Sequence, residues 1–124
     1  METKIFKSEV CGKMVEVIKD SQNPLFCCEQ PMKEMIPGTV EASAEKHLPV
    51  VKIEGNLITV TVGSLAHPME EAHHIEWISI ETKEGNQRKM LKPGDEPKAV
   101  FALTDTDEFI SATESCNLHG LWKA

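Results

Sequence analysis

The chain has 124 residues, 40% hydrophobic and 27% charged, with a net charge of −7. That length suits one domain, or one domain with a small appendage, and the composition is ordinary for a soluble globular protein. The acidity argues against nonspecific nucleic-acid binding, and no apolar run approaches the roughly 18 residues that span a bilayer.

The first ten residues, METKIFKSEV, hold no signal-peptide core, so a cytoplasmic location is the expectation. In a reducing compartment the four cysteines, Cys11, Cys27, Cys28 and Cys116, are predicted to be metal ligands or small buried residues rather than disulfides. Three of them fall in residues 1–36, which carry short β-like runs such as KMVEVIK. Ile36-Pro37-Gly38-Thr39 marks a plausible boundary, giving a small N-terminal segment over 1–36 and a main domain over 37–124. Within VEASAEKH, residues 40–47, Ala, Glu and Lys favour a short helical turn.

After that turn the chain reads as strands. VVKIE and LITVTV are rich in β-branched residues and are separated by Gly55-Asn56, a hairpin signal. IEWISIE follows, then a predicted turn at Glu84-Gly85-Asn86 and another at Lys92-Pro93-Gly94-Asp95. KAVFAL and EFISATE close the series. Short strands with regular Gly, Pro and Asn punctuation predict a small antiparallel sandwich or barrel.

The chemistry-bearing residues lie at strand ends and in loops, where sites are commonly built on a rigid scaffold. A single histidine in a β-domain is usually a surface or core residue, but three features weigh against that here. His47 precedes a β-branched strand, His67 follows LITVTVG, and His119 lies three residues after Cys116. Pro68 forbids an ordinary helix between His67 and His73, so this segment should be a loop that turns back on itself and brings two imidazoles together. Strand alternation sends His73 and His74 to opposite faces, so only one of them can join. Four imidazoles and one thiolate exceed the four ligands of a tetrahedral structural zinc site, and they suggest iron with one open position.

At these residues the sequence resembles a known family. EKHLPV, VGSLAHPMEEAH, IEWI, MLKPGDEP and CNLHGLWKA run in order along nearly the whole chain and are similar to the superoxide reductases, that is, the desulfoferrodoxins and neelaredoxins. The resemblance implies an immunoglobulin-like antiparallel β-sandwich with a small N-terminal desulforedoxin-like segment. It implies one mononuclear iron held by His47, His67, His73 and His119, with Cys116 as axial thiolate and His74 outside the set. It implies one-electron reduction of superoxide to hydrogen peroxide, with the iron re-reduced by a rubredoxin-like donor. Glu45 is implied to cap the oxidised site and Lys46 to attract the substrate. Four neutral imidazoles and one thiolate around ferrous iron leave a net positive core, which suits an anion. The competing readings are a non-catalytic iron-binding or electron-transfer protein and a metal-free binding module.

The N-terminus departs from the family. Members with a second iron carry four cysteines there; Cys11, Cys27 and Cys28 match three of those positions, and Ser8 stands at the fourth. A serine hydroxyl is a poor ligand at neutral pH, so the second iron centre is expected to be absent. So small a segment is also expected to help pair two chains as a homodimer.

Overall fold

The computed structural model describes residues 4–124, and Cα packing divides the chain into two units, Met1–Ile36 and Pro37–Ala124. In the first unit, β1 (Lys4–Lys7) pairs antiparallel with β2 (Met14–Val17) on one side and β5 (Lys33–Glu34) on the other. A separate two-residue pairing joins β3 (Phe26–Cys27) to β4 (Gln30–Pro31). Among its described residues only Ile5 and Met32 are buried apolar side chains, so these short strands rest on a very small core.

The regular structure of the second unit is nearly all strand. One sheet has the order β10-β7-β6, from β6 (Pro49–Glu54), β7 (Leu57–Val62) and β10 (Lys98–Ala102). The other has the order β12-β11-β8-β9, from β8 (Ile75–Thr82), β9 (Gly85–Met90), β11 (Phe109–Cys116) and β12 (Gly120–Lys123). Every pairing is antiparallel. The inward positions of both sheets form one core: Ile58, Val60 and Val62 from β7, Ile78 and Ile80 from β8, Phe101 from β10 and Ala112 from β11. The predicted hairpin at Gly55-Asn56 forms, with Ile53 opposite Ile58 and Gly55 at φ 62°. The next turn falls one residue earlier than predicted. Thr82 pairs with Gly85, so Lys83-Glu84 make the turn and Gly85 opens β9.

The short helix α1 (Ala44–His47) forms where the residue types favour it. Leu48 N–H closes its turn on Ala44 O at 2.9 Å, and Pro49 stops it, since a residue before proline is steered out of helical geometry.

Glu114 breaks the alternation of β11. It is fully buried on the core side, and both carboxyl oxygens lack a hydrogen-bond partner. Burial, with the nearby Glu76 charge, pushes its carboxyl up to about 9, so at neutral pH it is a protonated acid. An unsatisfied buried polar group costs about 1–3 kcal/mol. Glu114→Met, of similar shape, is therefore expected to raise the urea midpoint of this unit. A lower midpoint would mean that the carboxyl has a partner in solution.

Candidate metal centre

Five donors from four segments converge at one end of the sandwich. His47 comes from the last residue of α1, and His67 from the loop after β7. His73 lies just before β8, at the end of a reversal in which Glu70 and His73 exchange backbone hydrogen bonds of 2.9 and 3.1 Å. Cys116 ends β11, and His119 sits in the turn to β12.

The four imidazoles make a closed cycle. Neighbouring ring centroids are 4.7 Å apart for His47 and His67, 4.7 Å for His67 and His73, 5.1 Å for His73 and His119, and 4.8 Å for His119 and His47. His47 and His73 face each other across it at 6.3 Å. Adjacent rings stand near perpendicular, between 76° and 89°. This is a square of imidazoles. The buried Cys116 Sγ joins it, 3.7 Å from His119 Nδ1. The donor atoms of His47, His67, His73 and Cys116 all lie within 4.8 Å of one another.

The hydrogen bonding fits a cation at the centre. His47 Nδ1–H donates to Ser43 O and His67 Nδ1–H to Pro68 O, each at 2.7 Å. A neutral imidazole has one N–H, so these bonds leave both Nε2 atoms as bare acceptors. Yet the two Nε2 atoms face each other at 3.2 Å, and His47 Nε2 lies 3.1 Å from His119 Nδ1. His73 Nε2 is buried without a partner. The His47 and His67 Nε2 lone pairs, aimed at one another with no proton between them, are what a metal ion satisfies. Carbonyls that hold the outer N–H of ligating histidines are the usual outer support of such sites.

Burial lowers the pKa values of His47, His67 and His73, that of His67 to about 4, with smaller contributions from the neighbouring rings. These three imidazoles are thus neutral and ready to bind at physiological pH. Burial also raises the Cys116 thiol, while backbone N–H groups of Leu118 and His119 pull it the other way. A cation is what makes it a thiolate. The Lys46 charge is among the smaller causes that lower His47 and His73.

His74 turns away, its Nδ1 3.1 Å from Glu70 O. Glu45 and Lys46 are exposed on α1, immediately before His47. Their backbone is fixed: Leu65 N–H and Ser64 Oγ–H both donate to Glu45 O, at 2.9 and 3.3 Å.

Three supports escape a reading of the sequence. Gly63 packs so tightly under α1 that a Cβ there would meet Glu45 O at 2.5 Å and Lys46 C at 2.9 Å. Asn117 ties two ligand loops together, accepting from His74 N–H at 2.9 Å and donating to Ala72 O at 3.1 Å. Trp122 lies 5.1 Å from the His47 ring and donates its Nε1–H to His119 O at 3.1 Å. For Asn117 and Trp122 the only signal was their position inside CNLHGLW.

A second donor cluster lies in the N-terminal unit, where Cys11, Cys27 and Cys28 come within 4.8 Å of one another. A hydrogen bond from Ser8 lowers Cys11 to about 6, whereas sharing with Cys27 raises Cys28.

An all-β sandwich with a four-imidazole, one-thiolate centre, preceded by a small cysteine-bearing unit, defines a class of metalloprotein. The profile of the desulfoferrodoxin family matches residues 39–124, and that of the desulfoferrodoxin N-terminal domain matches residues 1–35. The chain belongs to the desulfoferrodoxin family. It is 50% identical to a desulfoferrodoxin homolog of Archaeoglobus fulgidus over 120 residues, covering 97% of this chain and 94% of that protein. A desulfoferrodoxin of Nitratidesulfovibrio vulgaris is 48% identical with the same coverage. The crystal structure of the superoxide reductase from Treponema pallidum superposes with a TM-score of 0.85 at 35% identity, covering 100% of this chain and 99% of that one.

Proposed function

We propose that the chain is a superoxide reductase, reducing superoxide by one electron to hydrogen peroxide at a single iron held by His47, His67, His73, His119 and Cys116. The observation that carries this reading is the square of imidazoles with a buried thiol beside it. Five donors exceed what tetrahedral zinc takes, and imidazole with one thiolate suits iron. The name of the Treponema pallidum structure and the family membership support the same chemistry.

When bound, iron supplies the electron, passing from ferrous to ferric. The chain's residues do the rest. The four histidines hold the ion without adding charge, so the anionic substrate meets a positive centre. Lys46 adds a second positive charge beside it, and Glu45, on the same pinned turn, offers a carboxylate to the oxidised site. Two protons complete the peroxide; water and the Lys46 ammonium are the sources within reach of an exposed turn. A rubredoxin-like donor returns the electron from outside.

Exposed Val10, Ile18 and Phe26 on the small N-terminal unit support a homodimer in which a second chain covers them. Among the described residues no helix is long and apolar enough to cross a membrane, which agrees with action in the cytoplasm.

Mixing the iron-loaded, reduced chain with superoxide is the test. Second-order oxidation of the iron, reversed by a rubredoxin-like donor over many turnovers, is expected. An iron that superoxide leaves ferrous would identify a non-catalytic iron protein instead.

Lys46→Ile is expected to slow that bimolecular step about tenfold, within the range for local electrostatic steering. The net charge of −7 opposes the anion at long range, but salt screens over roughly 8–10 Å, inside which Lys46 dominates. The visible spectrum should hardly change, and added salt should slow the parent more than the variant. Equal rate constants with equal salt slopes would reduce Lys46 to a solvated loop residue.

A further inference from the structure

The N-terminal unit brings three thiols to one point. Cys11 Sγ lies 3.6 Å from Cys27 Sγ, and Cys27 Sγ 3.7 Å from Cys28 Sγ. Sulfurs bound at about 2.3 Å to one tetrahedral zinc stand about 3.8 Å apart, so both separations match an edge of such a site. Two hairpins deliver the thiols. Cys27 ends β3 and pairs with Gln30, which leaves Cys28 and Glu29 as a two-residue turn. Both adopt positive φ, 55° and 61°, where Asn-Gly is the usual choice. Cysteine therefore sits at a turn position that disfavours it. Cys11 arrives from a second tight turn, closed by Ser8 N–H on Lys13 O and Gly12 N–H on Ser8 O, both 2.9 Å.

Among the described residues no fourth His, Cys, Asp or Glu joins the three thiols. Ser8 is buried, and its Oγ accepts hydrogen bonds from Val10 N–H and Cys11 N–H, both at 3.2 Å. A hydroxyl oxygen has two acceptor lone pairs, and both are engaged. Three thiolates and an engaged hydroxyl do not fit a four-thiolate iron centre.

We propose that Cys11, Cys27 and Cys28 form a three-thiolate site for a zinc-class ion, with Ser8 outside the coordination sphere and the fourth position open to water or a small exogenous ligand. Zinc binds a given donor set more tightly than ferrous iron does, so it tolerates a missing ligand better. It is stable with three protein donors and one exchangeable position. Cys11 and Cys28 are exposed, so solvent reaches that position. The unit then gains from the metal the order that its small core supplies poorly.

The test uses the full-length, iron-loaded chain with its thiols reduced. Titration with zinc is expected to load one further ion per chain. Zinc K-edge absorption should report three sulfurs and one oxygen or nitrogen. Ser8→Ala should keep both the stoichiometry and the sulfur count. Ser8→Cys should raise the count to four sulfurs. Cys28→Ser should weaken zinc binding by at least about 100-fold, with the iron spectrum unchanged. No zinc uptake by a chain with three titratable thiols would overturn the proposal. So would loss of zinc in Ser8→Ala, or a zinc environment of one sulfur and several nitrogens. A Cys11–Cys27 disulfide, read as a mass two hydrogens lower that returns after re-reduction during zinc addition, would equally count against it.

Discussion

Cys116→Ser is expected to remove the sulfur-to-iron charge-transfer absorption and to lower superoxide reduction by at least about 100-fold, while both sheets stay folded. Losing a partner outside the ligand set already costs about 10–100-fold in metal affinity or activity, and Cys116 is proposed as a ligand itself. Its sulfur is buried and stands beside the imidazole square, at the point where β11 gives way to the His119 turn. Serine nearly matches it in size, so the strand keeps its pairing with Ile75 and Gly120. What changes is the donor. Burial already disfavours ionisation of the thiol, and a hydroxyl ionises far less readily than a thiol in the same place. An oxidised spectrum unchanged from the parent would remove Cys116 from the ligand set.

Gly63→Ala should be the second most damaging change, although residue 63 touches no substrate. Its φ is not in the left-handed region, so the argument is one of space alone. A Cβ would lie 2.5 Å from Glu45 O, 2.9 Å from Lys46 C and 3.1 Å from Leu48 O, all backbone atoms. None of these can swing aside as a side chain would. The α1 turn must move, taking Glu45, Lys46 and His47 with it and stretching the Leu65 N–H bond to Glu45 O. Overpacking of this kind costs about 1–3 kcal/mol. Misplacing His47 is expected to weaken iron binding about 10–100-fold, as loss of an outer support does. Gly55→Ala is the control. It sits at φ 62° with open space around a Cβ, and should lower stability without changing iron affinity. Parent-like iron binding in Gly63→Ala would show that α1 has more room than its contacts allow.

Much of this was legible in the residues, unevenly. β7 and β8 were readable because LITVTV and IEWISI concentrate β-branched side chains, and both strands lie at the centre of their sheets. β9 was not: GNQRKM is a polar edge strand, largely exposed, and edge strands use charge to resist pairing with other chains. β12, only four residues, was hidden inside the CNLHGLWKA motif. The five donors were suggested by their places at strand ends and in loops, but the square of imidazoles depends on α1, the β7–β8 connection and the β11–β12 turn meeting, which no local pattern encodes. Gly63 carried no signal beyond its place after LITVTV, since a close approach between two backbones leaves no trace in one sequence. EFISATE read as a strand, but nothing in it marked Glu114 as a fully buried position.

The central claim is that this centre reduces superoxide without evolving oxygen, and the yield of peroxide tests it most directly. With the iron fully reduced and a donor present, superoxide from pulse radiolysis should give one hydrogen peroxide per superoxide consumed and no dioxygen. One peroxide for every two superoxides, with dioxygen released, would make the chain a dismutase and contradict the account.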